Sequence, residues 1–168
     1  MNNSTVTTVL QFVALILIQV LVLNHINFFG NINPYLYILF ILVFPIRNNR
    51  TLILLLSFLL GLGVDLFSDS GGVNAAACVT IAYIRPIILK FSFGMIYEHQ
   101  TIKFDNTELS NRLIYFTIMT FIHHLILFSL EIFNISKLIL ILQKTLFSSI
   151  FTILLCLLIS ILFSKKRR

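Results

Sequence analysis

Gly61-Leu-Gly-Val-Asp-Leu-Phe-Ser-Asp-Ser-Gly-Gly-Val-Asn-Ala75 sets two carboxylates, four glycines and an asparagine in a chain that is otherwise mostly hydrocarbon. Only six of the 168 residues are acidic, and Asp65 and Asp69 are two of them. A charged side chain at the centre of a lipid bilayer costs roughly 2.5–3.5 kcal/mol on insertion scales, so an ionisable residue there is a candidate for function. The stretch reads as the end of one apolar helix, a polar turn and the start of another. The lattice around it decides the fold class.

That lattice is 58% apolar and 11% charged, which marks an integral membrane protein. A helix needs about 20 apolar residues to cross the hydrocarbon core, so the length accommodates roughly six crossings with short loops. The expected fold is an all-α bundle of about six transmembrane helices forming a single domain, residues 1–168. Segment one is expected at 5–23, two at 34–46, three at 51–67, four at 73–97, five at 112–133 and six at 138–163. Segment two is short, and the sequence predicts that it is tilted, half-buried or partly re-entrant. Arg85-Pro86 predicts a kink in segment four, because proline lacks a backbone donor. The start of the chain reads as a retained first helix, since residues 1–8 hold no Lys or Arg and no small-x-small cleavage site follows.

The net charge of +6 owes four charges to Lys165-Lys-Arg-Arg168, a basic tail at 164–168 expected in the cytoplasm. The remaining basic residues are scattered among loops, which speaks against nucleic-acid binding. Arg47, Arg50, Lys103 and Arg112 fall in the loops at 47–50 and 98–112. The loops at 24–33 and 68–72 hold none, and the one near 134–137 holds only Lys137. The positive-inside rule then places both termini in the cytoplasm and the 65–74 turn outside. Cys78 and Cys156 lie in apolar segments without metal-ligand spacing and read as buried free thiols.

Ser57, Gly61 and Asp65 recur every fourth residue, so they share one face of segment three. Small residues there admit a neighbouring helix, and Asp65 then either bonds to a backbone amide or Arg of that neighbour, or simply caps segment four or sits in the wet interface. Gly71-Gly72 before Val-Asn-Ala-Ala-Ala suits a sharp turn into a tightly packed helix. On segment five, Thr117, Thr120, His124 and Glu131 form one stripe, with His123 pointing elsewhere. On segment six, Lys144, Ser148, Thr152, Cys156 and Ser160 form a small-residue ridge for another helix or a partner. Gln11 and Gln19 are expected to face protein. No nucleophile, base and oxyanion donor assemble, and no metalloprotease, hydrolase-elbow or Walker pattern occurs. His124 and Glu131 stand about 10 Å apart along the axis, too far to share one ion. Neither an enzyme nor a cofactor or metal site is expected.

Residues 61–75, with Ala82-Tyr-Ile-Arg-Pro86 after them, resemble the rod shape-determining membrane protein family MreD. The family carries a similar glycine, Asp-Leu-Phe, polar turn, glycine and small-residue run between two membrane helices. The match carries over Gly61, Asp65, Leu66, Phe67, Gly71, Gly72 and Asn74, followed by Arg85 and Pro86. The resemblance implies a non-enzymatic subunit that shapes a partner-binding fold in the bacterial inner membrane and supports lateral peptidoglycan synthesis. Its implied partner is the bitopic scaffold MreC, with MreB, a SEDS-type glycosyltransferase and a class B penicillin-binding protein in the wider assembly. MreD proteins are similar in architecture to the substrate-binding components of energy-coupling-factor vitamin transporters, and membership of that class is the alternative. Segment one holds Ala14 alone where such components often show Ala-x-x-x-Ala.

Overall fold

A computed structural model of the chain describes residues 3–26, 32–45, 49–94 and 107–162. Among these the helices are α1 (Asn3–Leu21), α2 (Leu39–Val43), α3 (Arg50–Ser68), α4 (Val73–Phe93), α5 (Leu109–Ile132) and α6 (Leu138–Leu162). Five helical stretches are long and apolar enough to cross a membrane: α1 with the short 3-10 turn after it, α3, α4, α5 and α6. The chain is a multi-pass membrane protein. The long helices pack in chain order, α1 on α3, α3 on α4, α4 on α5 and α5 on α6. Sequential neighbours joined by short turns are the arrangement that loop lengths favour.

The expected second span departs from the other five. It is a 3-10 turn, Leu36–Ile38, running into the five-residue α2, and it touches α1, α4 and α6 together. Leu36 through Leu42 and Phe44 are all buried, several of them completely, and they seed the main apolar cluster of the protein. The segment is not half-buried at the edge. It is the core around which the long helices are wrapped.

Its shortness has a physical reason. Irregular backbone at membrane depth survives only where protein satisfies its polar groups, and here side chains from four helices do so. Gln19 of α1 accepts from Leu36 N at 2.8 Å and donates to Pro34 O at 3.0 Å. Thr152 of α6 accepts from Tyr35 N at 2.9 Å. At the far end Arg85 of α4 donates to the carbonyls of Leu42 and Phe44, and the Tyr115 hydroxyl of α5 donates to Leu42 O at 3.2 Å. Those carbonyls belong to the C-terminal turn of α2, where helices leave acceptors without partners.

Several boundaries differ from expectation. α4 stops at Phe93, where Gly94 at φ +55° closes the last turn. The proposed extension to residue 97 lies outside the described residues, as do Arg47, Lys103 and the tail 164–168. The helix continues through Pro86 without ending. Gln11 is exposed while Gln19 is fully buried. Eight residues on a helix of about 3.6 per turn turn the second glutamine roughly 80° away from the first, enough to separate lipid from core.

Candidate functional site: the polar network below the 65–74 turn

The sequence motif assembles at the junction of α3 and α4. The helices approach so closely that a Cβ built on Gly61 would lie 2.5 Å from Ala75 Cα and 2.6 Å from Asn74 O. Backbone cannot yield as a side chain can, so glycine is the residue the contact admits. One turn further on, Asp65 faces the start of α4. The helix begins at Gly72, which has no side chain to cap it, and the carboxylate of Asp65 does so from α3. Its Oδ2 accepts from Ala75 N at 2.8 Å and its Oδ1 from Asn74 N at 3.0 Å. Bonds to the second and third N–H of a helix are those an N-cap side chain makes, and the positive end of the helix dipole favours an anion there. Ser70 Oγ and Asn74 Nδ2 donate to the same carboxylate at 2.5 and 2.9 Å. Asp65 thus bonds to backbone amides of the neighbour and caps segment four at once. It does so while buried.

The turn between the helices needs left-handed backbone at three places. Asp69 has φ +51°, Gly71 +67° and Gly72 +93°. Space is not the constraint at the two glycines, since nothing lies within 4 Å of a Cβ built on either. The conformation itself selects them.

From Asn74 a chain of hydrogen bonds runs inward, and its polarity can be worked out. The Asn74 amide nitrogen donates to Asp65, so its oxygen accepts, and the Tyr37 hydroxyl donates to it at 2.7 Å. That hydroxyl has spent its one proton, so His123 Nε2, at 3.0 Å, must be the donor to it. His123 Nδ1 is then a bare acceptor, buried and without a partner among the described residues. Cys78 Sγ sits 4.0 Å from the same Nε2. His124 takes the opposite tautomer. Its Nδ1 donates to Thr120 O at 2.7 Å, leaving Nε2 to accept from Thr152 at 3.4 Å. The tilted and edge-on rings of Tyr35 and Tyr37 pack against both histidines, 5.1 to 6.4 Å between centroids.

His123 was expected to point elsewhere than the stripe that carries His124, and both histidines are fully buried. Helix α5 is flanked by α4 on one side and α6 on the other, so two adjacent positions both become core. The expected stripe is divided instead: Thr120 and His124 are buried, whereas Thr117 is exposed and Glu131 lies at the rim. Glu131 meets Lys144 of α6 at 3.4 Å. Ser148, Thr152 and Cys156 of the α6 ridge are fully buried and Ser160 is half-buried, accepting from Arg112 at 3.2 Å. The ridge therefore packs on α5 and the central segment within the chain, and only its two ends, Lys144 and Ser160, reach the surface. Arg85 is buried and holds α2, as described, with Nε donating to Tyr115 at 3.0 Å. Leu66 and Phe67 behave otherwise from the rest of the motif, at 75% and 68% exposed. Pro86 is half-buried beside Arg85.

Sequence reasoning missed Tyr37, Tyr115 and His123. Tyr37 and Tyr115 sit in apolar runs where a phenol passes for a lipid-facing or interfacial ring. A tyrosine in the middle of a short, charge-free segment was the available signal, because a buried phenol needs a partner. Beside the network lies a cavity of about 360 Å³, between the ends of α1, α3, α4 and α5. No group of three His, Cys, Asp or Glu suited to a metal ion occurs among the described residues. In comparisons with known proteins, no family model, curated protein or solved structure matches the chain.

Proposed function

We propose that this protein is a non-enzymatic scaffold subunit of the bacterial elongation machinery, of the MreD type, acting in the inner membrane by binding the bitopic protein MreC. The observation that carries the reading is how the motif spends its groups. Gly61, Asp65, Asn74 and Arg85 each hold one element of the fold to another. A motif that served chemistry would leave a polar group facing a substrate, whereas the polar groups of Asp65, Asn74 and Arg85 are engaged by backbone and side chains of the fold itself. Leu66 and Phe67, in the middle of the same motif, are turned outward and apolar. An apolar face beside a rigid junction suits a single partner helix, because rigid elements present a surface with little ordering cost.

The test is depletion combined with crosslinking. Loss of the protein should give rounded or swollen cells with misplaced wall synthesis, unrelieved by vitamins. A photo-crosslinker at Phe67 should capture MreC, with MreB, the SEDS-type glycosyltransferase and the class B penicillin-binding protein recovered beyond it. Normal shape on depletion, or full rescue by one vitamin, would move the protein to the energy-coupling-factor transporter class, whose substrate-binding components need a concave pocket.

A further inference from the structure

The cavity at the Asn74 end of the bundle holds polar groups that the fold does not use. At about 360 Å³ it falls at the small end of small-molecule sites, which run roughly 300–1,000 Å³. Its wall includes Tyr35, Glu131, Phe67, His25 and Asn33. Tyr35 is fixed by its backbone bond to Thr152, yet its hydroxyl makes no hydrogen bond among the described residues. Glu131 is the one carboxylate in the lining. One of its oxygens meets Lys144 at 3.4 Å, and the other has no partner among the described residues. Both side chains of that pair are partly exposed, at 21% and 43%, so the bond is weak and exchangeable.

A carboxylate that shares a cavity lining with aromatic rings is the chemistry that recognises an ammonium ion. The carboxylate supplies the counter-charge, and ring faces attract cations. The chain itself illustrates the preference: the Lys144 ammonium lies against Glu131 and 5.5 Å from the centre of the Phe128 ring. We propose that the cavity binds the ammonium group of a compact, hydroxylated amine, with Glu131 as counter-ion, the Tyr35 hydroxyl as hydrogen-bond partner and Phe67 as aromatic wall. The site goes beyond the scaffold reading and stands without it. The same group reaches the cavity from a free amino sugar or amino alcohol, or from the ethanolamine headgroup of a phospholipid.

The experiment uses the full chain in nanodiscs of phosphatidylglycerol alone. Glucosamine is titrated against glucose, which differs by the ammonium group, with thermal stability and calorimetry as readouts. In a second arm, phosphatidylethanolamine is introduced into the discs and its retention is read by native mass spectrometry. Saturable stabilisation by glucosamine and not by glucose assigns the site to a soluble amine, and selective retention of phosphatidylethanolamine assigns it to the headgroup. In either case Glu131→Gln should weaken binding at least about tenfold, as loss of a charge-assisted bond implies. Tyr35→Phe should weaken it less, and Lys144→Met should strengthen it by removing the competing cation. Glu131→Gln is expected to melt like the wild type without probe, because the pair it breaks is exposed. Equal response to glucose, binding unchanged in Glu131→Gln, or no response to either amine source would overturn the proposal.

Discussion

At the scale of single residues, Asp65 and Gly61 make opposite kinds of demand on the junction of α3 and α4. Asp65 offers two acceptor oxygens to four donors, two of them backbone N–H groups of α4. Asparagine keeps one acceptor and turns its amide nitrogen toward a donor. Leucine removes both acceptors. An unsatisfied buried polar group costs about 1–3 kcal/mol, so thermal melting in detergent should rank wild type above Asp65→Asn and Asp65→Asn above Asp65→Leu. Identical melting of the two variants would place the carboxylate outside the structural network. Gly61→Ala should be destabilising by about 1–3 kcal/mol, the usual range for overpacking. Ala75→Gly should not rescue it, since the atoms in the way are Ala75 Cα and N and Asn74 O, which remain. Rescue by that second change would mean the helices are held by side chains alone. The periodicity of Ser57, Gly61 and Asp65 made this face readable in the sequence. What could not be read was which donors Asp65 meets, because that depends on where the 69–72 turn sets the first turn of α4.

Among the elements, the five long helices were legible, and the central segment was placed at 34–46 without its burial at the core being legible. Length and hydropathy pick out a helix that must satisfy its own backbone, and α1, α3, α4, α5 and α6 declare themselves that way. The segment from Pro34 to Phe44 hides because a residue facing lipid and a residue buried in protein have the same composition in a membrane protein. Only the partners of its backbone reveal it, and those lie 15 to 117 residues away in sequence. The same argument makes Arg85 the residue on which α2 depends. Arginine reaches Leu42 O, Phe44 O and Tyr115 through one planar fork. Lysine keeps the charge but not that geometry. Arg85→Lys should therefore behave much like Arg85→Met, both reducing the yield of folded protein in detergent. Tyr115→Phe, which loses its bond to Leu42 O and the acceptor of Arg85 Nε, should be milder, at about 1–3 kcal/mol. Near-wild-type yield for Arg85→Lys would show that charge, and not the fork, secures the segment.

For the whole molecule, contacts determine how many times the chain changes sides. Asn24, just after α1, donates to Ser68, the last residue of α3, at 2.8 Å. The ends of α1 and α3 therefore share one side. Helix α3 is 19 residues long, about 28 Å at about 1.5 Å per residue, so its start at Arg50 lies on the opposite side. Asn24 and Arg50 thus stand at opposite ends of the bundle, and the segment from Pro34 to Phe44 runs between those ends. Its two ends agree: Tyr37 bonds Asn74 at the first turn of α4, whereas Leu42 and Phe44 bond Arg85, about 16 Å further along that helix. A segment that merely dipped in and returned would leave Asn24 and Arg50 on the same side. The expectation of an even count, with a sixth crossing too short to recognise by length, rests on that geometry. Single cysteines in a background lacking Cys78 and Cys156 test this directly. Both native thiols are fully buried, so their removal calls for small replacements such as alanine or serine. Cysteine at Asn31 or Ser136 should react with an impermeant thiol reagent on intact cells, and cysteine at Asn49 or Ser110 only after permeabilisation. Arg50 and Arg112 flank those last two positions, which is why the charge rule puts them in the cytoplasm. Labelling of Asn31→Cys and Asn49→Cys from the same side would break the even count. The reverse pattern, with Asn49→Cys and Ser110→Cys labelled from outside, would keep the fold and invert its orientation.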